Sequence, residues 1–178
     1  MHLREQTLSS KNIYEGCIFT VTQDIAKLEN DAQAQRDVIR HPGGVCVIPV
    51  TEDNEIYMVK QFRYPFSEIT TEVPAGKLEY GEAHYDCGKR ELLEETGFNC
   101  SEYVFLGELY PTPAYNTEII YMYLAKGLVQ DKQNLDEDEF IDVVKIPLEK
   151  AVDMVMKNEI KDGKTKLIIL MAARILGI

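Results

Sequence analysis

Alternating apolar and polar residues predict strands along most of this chain. Residues 16–28 and 34–40 alternate, and Asn30-Asp31 between them is a plausible turn dipeptide, so we expect an antiparallel hairpin there. Further short strands are predicted at residues 45–50, 56–62, 70–73, 103–109, 118–124 and 140–144. Together with three intervening helices, this order predicts an α/β (α+β) fold with a mixed sheet clamped between helices.

The helices are predicted from terminal signals and from apolar spacing. The first runs through residues 83–96, after Gly81 and Glu82, and Gly97 occupies the usual position of a C-terminal cap. Pro147 opens the second, and Asp162 precedes the third. Each of these two carries an apolar stripe that predicts core packing. The stripes are Leu148, Val152, Val155 and Met156, and then Ile168, Met171, Ala172 and Ile175.

The last turn of the first helix is unusually acidic. At about 100° per residue, Glu91, Glu94 and Glu95 share one face, while Tyr85, Leu92 and Leu93 lie on the opposite, core side. Negative charge at a helix C-terminus is unfavourable by about 0.3 to 1 kcal/mol per group, and the glutamates also repel one another. A solvated acidic face is the ordinary interpretation of such a run, and a functional site is the alternative.

Composition bounds the class of protein. With 178 residues, 45% of them hydrophobic and 28% charged, the chain is long enough to bury a core as one domain. The net charge of −11 argues against a nucleic-acid surface, which would require clustered lysine and arginine. The N-terminus is polar, and no apolar run approaches the roughly 20 residues that span a bilayer. We therefore expect neither secretion nor membrane insertion.

The cysteines and histidines argue against a zinc site. The four cysteines form no C-x-x-C pair, and the three histidines are scattered. Free thiols are the default in a reducing compartment, so we expect a cytoplasmic protein.

Residues 76–98 fill every fixed position of the pattern G-x5-E-x7-R-E-U-x-E-E-x-G-U, where U is a bulky aliphatic or aromatic residue. These positions are Gly76, Glu82, Arg90, Glu91, Leu92, Glu94, Glu95, Gly97 and Phe98. The segment closely resembles the signature of the Nudix hydrolases, which split a nucleoside diphosphate linked to another moiety. The resemblance implies an α/β/α sandwich with a central mixed sheet.

Hydrolysis of a diphosphate requires neutralisation of the charge that develops on its oxygens, and glutamates can hold the divalent cations that supply it. We expect Mg²⁺, with Mn²⁺ as the alternative. The resemblance implies that Glu91 and Glu95 are the principal ligands, assisted by Glu94 and by the carbonyl of Ala75. Arg90 would aim the glutamates, and Glu82 would either orient Arg90 or join the metal ligands.

Further segments resemble the ADP-ribose pyrophosphatase branch of that family, over nearly the whole chain from about Ile13. They are HPGGVCVIPV (41–50), VKQFRYP (59–65), EVPAGKLEYGE (72–82), LYPTPAYNTE (109–118), LDEDEF (135–140) and EIKDGKT (159–165). Pro113 lies about where the branch carries its marker proline. The branch usually has glycine and then an aromatic after that proline, whereas this chain has Ala114 and Tyr115.

The branch also implies roles for residues outside the helix. Arg63 would grip a phosphate or ribose oxygen, because a guanidinium fork suits phosphate. Glu72 would hydrogen-bond the adenine or ribose. Glu137 would act as general base, with Glu139 as alternative base or extra ligand. The ordinary interpretations are a surface arginine, a solvated strand glutamate and a solvated acidic turn.

The expected function is metal-dependent hydrolysis of ADP-ribose to AMP and ribose 5-phosphate. Residues 1–41 would form an antiparallel strand extension that pairs in a homodimer, from which Arg36 or Arg40 reaches the partner's site, and residues 42–178 the Nudix domain. One alternative is hydrolysis of another nucleoside diphosphate derivative, a sugar nucleotide or a dinucleotide, or of a nucleoside triphosphate. A second is a silent nucleotide-binding module, which would typically lack box glutamates.

Overall fold

A computed structural model describes residues 2–135 and 139–178, which fall into two compact units. The first holds the residues up to Gly43 together with Tyr110–Ile119, and the second holds Gly44–Leu109 and Ile120–Ile178. The division into residues 1–41 and 42–178 stays a prediction. No pattern in the sequence indicated that residues 110–119 belong to the first unit.

The first unit is built on an antiparallel sheet in the order β1-β2-β3. Its strands are β1 (Gln6–Glu15), β2 (Thr20–Lys27) and β3 (Gln33–Arg40). The predicted hairpin is confirmed, because β2 and β3 pair from Thr20–Arg40 to Lys27–Gln33, and Asp31 in their turn has a left-handed φ of 61°. Strand β1 was missed, since it is polar and exposed along its whole length.

The first unit buries few apolar side chains. Of its described residues, Ala26 is the one buried hydrophobic residue, and the buried Asp24 lies beside it in β2. Large apolar side chains remain exposed, among them Leu8, Ile13 and Tyr14 of β1. The unit therefore has no hydrophobic core of its own.

The second unit contains two sheets. A four-stranded mixed sheet has the order β7-β4-β9-β8, in which β4 and β9 run parallel, and a three-stranded antiparallel sheet has the order β10-β5-β6. The strands are β4 (Gly44–Pro49), β5 (Glu55–Arg63), β6 (Glu68–Glu72), β7 (Ala75–Lys77), β8 (Phe98–Leu109), β9 (Ile120–Gln130) and β10 (Ile141–Pro147). A 3-10 turn (Tyr64–Phe66) joins β5 to β6. Strand β7 was not predicted, because three residues carry no detectable period.

The three predicted helices are confirmed as α1 (His84–Thr96), α2 (Leu148–Met156) and α3 (Gly163–Leu176). Gly97 caps α1 with a φ of 72°, and its N–H donates to the Leu93 carbonyl at 2.8 Å. Asp162 is the N-cap of α3, and its carboxylate accepts from the Thr165 N–H at 2.9 Å. Pro147 is the N-cap of α2 and not its first helical residue.

Strand β4 places the core on both faces of the mixed sheet. Successive side chains of a strand point to opposite faces. Cys46 and Ile48 accordingly join the cluster that contains the apolar residues of α2 and α3. Val45 and Val47 join a second cluster, with Cys87 and Leu92 of α1 and with Tyr123 of β9. This is the α/β/α arrangement that the sequence predicted.

Three predicted core positions are wrong. Met156 and Ile175 are 73% and 55% exposed, and each lies in the last turn of its helix. Tyr85 is 45% exposed and rests edge-on against Tyr103 at the start of α1, with the ring centroids 5.2 Å apart. Within the described ranges, no helix combines the length and apolar character needed to cross a membrane.

Candidate active site

Two glutamates of the acidic helix end are buried. Glu91 is 8% exposed and Glu95 is 2% exposed, whereas Glu94 on the same face is half-buried. A solvated acidic face is therefore wrong for this pair. Glu95 accepts a hydrogen bond from the Ala75 N–H at 3.0 Å, so the strand that carries the motif glycine is tied to the last turn of the helix.

Burial makes the charged forms of these carboxylates costly. Desolvation raises the pKa of Glu95 to about 8, with repulsion from Glu91 as the next contribution. Desolvation likewise raises the pKa of Glu91 to about 7, although the Arg90 guanidinium opposes that shift. Glu139 repels both groups, so its carboxylate belongs to the same electrostatic site. Two buried carboxylates at the negative end of a helix favour binding of a cation.

Arg90 bridges three glutamates. Its Nε and Nη2 form a two-pronged contact with Glu82 at 2.9 and 3.0 Å, while Nη1 donates to Glu91 at 2.8 Å and to Glu94 at 2.9 Å. The pKa of Glu82 is lowered to about 2, chiefly by the hydrogen bond from Arg90. The contacts agree with the expectation that Glu82 orients Arg90.

The Glu91 carboxylate occupies the space that a side chain on Gly76 would fill. A Cβ on Gly76 would lie 1.8 Å from Glu91 Oε1, so no other residue fits without moving that carboxylate. Gly76 lies in β7, opposite Val45 of β4. The first glycine of the motif is therefore required by side-chain packing against the acidic helix, and not by a turn.

The donor set fits a hard divalent cation. Carboxylate oxygens are the ligands such ions prefer, and burial raises the pKa of both Glu91 and Glu95, so a bound cation would favour their charged forms. In the described ranges, no three acidic, histidine or cysteine side chains converge as a ready metal cluster. Mg²⁺ commonly binds one or two carboxylates and takes its remaining oxygens from water and substrate phosphates, which matches this pair.

The end of α1 is held by the segment that follows β9. The Asn134 N–H donates to the Glu94 carbonyl at 3.1 Å, and the Gln133 side chain donates to the Glu95 carbonyl at 2.5 Å. These contacts satisfy carbonyls that lack partners at a helix C-terminus. The segment leads toward the predicted base residues, of which Glu139 is described and Glu137 lies outside the described residues.

A second charged cluster joins β5, β6 and α3. Arg63 contacts both oxygens of Glu72 at 2.7 Å, and the hydroxyl of Thr70 donates to Glu72 at 2.6 Å. Lys164 also donates to Glu72 and contacts Asp162 at 3.0 Å. Glu72 is buried, yet its pKa is about 2, because the bonds from Arg63 and Lys164 outweigh the opposing effect of desolvation. Both carboxylate oxygens of Glu72 therefore accept hydrogen bonds from protein side chains in this structure.

The remaining predicted site residues belong to the first unit. Arg36 pairs with Glu5 through contacts of 3.0 and 2.6 Å, and Arg40 pairs with Asp24 at 2.6 Å. Pro113 is exposed in the segment Tyr110–Ile119. The structure brings Arg63 to Glu72 and Ala75 to Glu95, and it keeps Arg36, Arg40 and Pro113 within the other unit.

Sequence reasoning missed three residues of the site region. Gln133 carries no motif, so its contact with the helix end had no signal. Thr70 lies two residues before Glu72 on the same strand face, which was a usable clue. Lys164 lies in the EIKDGKT segment, where its lysine had been assigned no role.

Comparison with known proteins agrees with this geometry. Residues 40–168 match the NUDIX domain family. The methanol dehydrogenase activator of Bacillus methanolicus is 40% identical over 90% of this chain and 88% of its own length. The ADP-ribose pyrophosphatase of Bacillus subtilis is 38% identical over 92% and 89%. A crystal structure of an ADP compounds hydrolase, 20% identical, superimposes with a TM-score of 0.87 over 99% of this chain and 96% of that one.

Proposed function

The chain belongs to the Nudix family, and we propose that it hydrolyses the diphosphate of ADP-ribose to AMP and ribose 5-phosphate. The observation that carries the proposal is the buried pair Glu91 and Glu95, held at the end of α1 by Arg90 and Ala75. The 38% identity to an ADP-ribose pyrophosphatase supports that substrate. A silent binding module is disfavoured, because the complete set of box glutamates is present.

Nudix pyrophosphatases generally use divalent metal ions, and we propose Mg²⁺ here, with Mn²⁺ as the alternative. When bound, the ion neutralises charge on the phosphate oxygens and activates water. Glu91 and Glu95 would hold it, with Glu94 and the Ala75 carbonyl as further oxygen donors. Arg90 would keep the Glu91 and Glu94 carboxylates aimed, as the groups behind metal ligands commonly do.

Arg63 is our candidate for contact with the diphosphate. Its side chain is 38% exposed, and its positive charge partly opposes the rise in the pKa of Glu95. Binding there would place the anionic part of the substrate between a fixed positive charge and the carboxylate pair. Glu72, Arg36, Arg40 and Pro113 stay proposed substrate contacts from the family resemblance.

Proton removal from the attacking water is assigned to Glu137, with Glu139 as the alternative. Glu139 repels Glu91 and Glu95, which supports a role for a carboxylate of this loop in the site. Glu137→Gln should remove most of kcat, whereas the affinity for the metal ion, measured by calorimetry, should stay nearly unchanged. A larger kcat loss in Glu139→Gln than in Glu137→Gln would transfer the role to Glu139.

We also propose a homodimer formed through the first unit and a cytoplasmic location. The sheet β1-β2-β3 buries almost no apolar surface by itself, so a second copy would cover it. All four cysteines are free thiols, as expected in a reducing compartment. Sedimentation at micromolar concentration tests the dimer, and a monomeric mass would reject it.

The decisive experiment is product analysis by chromatography with ADP-ribose and Mg²⁺, beside EDTA and Glu95→Gln controls. AMP and ribose 5-phosphate should appear only with metal and intact Glu95. The panel should include GDP-mannose, a diadenosine polyphosphate and ATP. Faster cleavage of one of these would transfer the function to that substrate class, and binding without any cleavage would support the silent module.

A further inference from the structure

Glu72 lies at the centre of a hydrogen-bonded group that combines three elements of the second unit. Arg63 ends β5, Thr70 and Glu72 lie on one face of β6, and Lys164 is in the first turn of α3. Lys164 is 92 residues from Glu72 in the sequence, so this contact forms only when α3 packs in place. The Glu72 side chain is 3% exposed and that of Lys164 is 13% exposed.

All of these side chains border a cavity of about 640 Å³ between β5, β6 and the start of α3. Arg63 presents its free edge there. Its Nε and Nη2 are bound to Glu72, while Nη1 donates to no residue in the described ranges. The guanidinium is therefore fixed on one edge and available on the other, which suits recognition of an anionic group.

The side chains of this group differ in how much hydrogen-bonding capacity they keep for a ligand. Glu72 accepts four hydrogen bonds on its two oxygens, from Arg63, Thr70 and Lys164, so a substrate contact at Glu72 would have to share or displace one of them. The ammonium group of Lys164 forms ion pairs with Glu72 and Asp162. Within the described ranges Arg63 keeps both N–H bonds of Nη1 for a ligand, whereas Lys164 keeps only the third N–H of its ammonium group.

We propose that Lys164 is a positioning residue that acts through Glu72, fixing the carboxylate that orients the Arg63 guanidinium toward the diphosphate substrate. This inference rests on the proposed function. Loss of Lys164 would let Glu72 turn, and Arg63 would then sample orientations that no longer match the phosphate oxygens. Binding of substrate would weaken, whereas the groups that hold the cation and accept the proton would be untouched.

The test is a double-mutant cycle on the steady-state constants for ADP-ribose. Lys164→Met should raise KM by about fivefold to fiftyfold and leave kcat within about twofold. In an Arg63→Ala background, the same substitution should change KM by less than twofold, because the residue through which it acts has gone. Equal KM effects in both backgrounds would overturn the proposal and indicate direct substrate contact or a general structural role.

Two further variants keep the result interpretable. Thr70→Val removes one bond to Glu72 without removing charge, so it should raise KM severalfold and lose that effect in the Arg63→Ala background. It replaces Lys164→Met if that variant does not fold. Lys166→Met is the matched control, since Lys166 lies in the same helix, donates to Asn158 at 2.7 Å and does not line this cavity, and its KM should stay within twofold.

The outcomes separate the two proposals. If the wild-type protein does not cleave ADP-ribose, the proposed function fails, and the cycle is repeated on the panel substrate that is cleaved. If wild-type cleaves and Lys164→Met and Thr70→Val leave KM unchanged, the positioning role alone is rejected. A KM for Lys164→Arg close to that of the wild-type protein would support the positioning role, because the arginine side chain keeps the positive charge and can still reach Glu72.

Discussion

Gly76 and the carboxylate of Glu91 occupy adjoining space, with 1.8 Å between Glu91 Oε1 and the position that a Cβ on Gly76 would take. The absence of a side chain on the strand creates the niche into which the helix carboxylate fits. Motif positions 15 residues apart are thus constrained by a single steric relationship. Any substituent on the strand moves a proposed metal ligand.

Gly76→Ala should therefore reduce kcat/KM by about a hundredfold or more, because a displaced ligand costs orders of magnitude when geometry shifts by about 1 Å. The protein should still fold, as far-ultraviolet circular dichroism would show. Gly177→Ala at the end of α3 is the matched control, since no atom lies within 4 Å of its added methyl group, and its activity should stay within twofold. Equal losses in both variants would contradict the steric argument.

Glu95→Gln should stabilise the metal-free protein at alkaline pH while abolishing activity. The pKa of Glu95, about 8, lies above its ordinary value of 4.5, so the folded state binds this proton more tightly than the unfolded state does. Stability is then lost as pH rises from 4.5 through 8. Glutamine avoids that cost and can still accept from the Ala75 N–H.

The free energy of unfolding in EDTA should rise by about 1 to 3 kcal/mol in Glu95→Gln at pH 8.5 and by much less at pH 5, as measured by urea denaturation. Added Mg²⁺ should stabilise wild-type and have a smaller effect on the variant. Glu52→Gln, at an exposed loop position, is the control and should change nothing. A uniform destabilisation of Glu95→Gln at both pH values would refute the prediction.

Arg90→Met should lower both stability and activity, because it leaves Glu82, Glu91 and Glu94 without their shared partner. We expect about 1 to 3 kcal/mol of lost stability and at least a tenfold fall in kcat/KM. Arg90→Lys should recover little activity, since an ammonium group cannot reproduce the fork on Glu82. Thermal melts and steady-state kinetics measure both effects, and Arg174→Lys on the exposed side of α3 serves as control.

Gln133→Ala should weaken the end of α1 by removing the hydrogen bond to the Glu95 carbonyl. The expected cost is about 0.5 to 1.5 kcal/mol, with a severalfold fall in kcat because the last helical turn carries the carboxylates. Hydrogen exchange should show faster exchange in that turn. Lys132→Ala beside it should have no effect, and similar exchange in both variants would count against this contact.

The motif predicted which glutamates of α1 lie on one face, but it did not predict how far each of them is buried. Helical spacing placed Glu91, Glu94 and Glu95 on one face, and the structure agrees. The same spacing could not reveal that Glu91 and Glu95 are buried, because burial depends on β7 and on the side chain missing from Gly76. Long-range contacts were likewise invisible, as with Lys164 and Glu72.

Elements with strong periodicity were predicted and weakly patterned ones were not. The three helices and most strands were found from spacing and terminal signals, and Asp162 was correctly placed immediately before the third helix. Strand β1 escaped because every side chain in it is exposed, so burial imposed no alternation. Its hydrogen-bonding partner β2 determines its conformation, which no local pattern records.

Neighbouring residues of strand β4 pack against the two helices that carry the candidate site, α1 with its glutamates and α3 with Lys164. Val47 packs in the cluster that contains Leu92 of α1, whereas Ile48 packs in the cluster that contains Ile168 of α3. A substitution at Val47 would act on the packing of α1, which carries the glutamates proposed to hold the cation, and a substitution at Ile48 on the packing of α3, which carries Lys164. Under the proposed roles, mutation of these two consecutive residues on one strand would therefore alter cation binding and substrate binding separately.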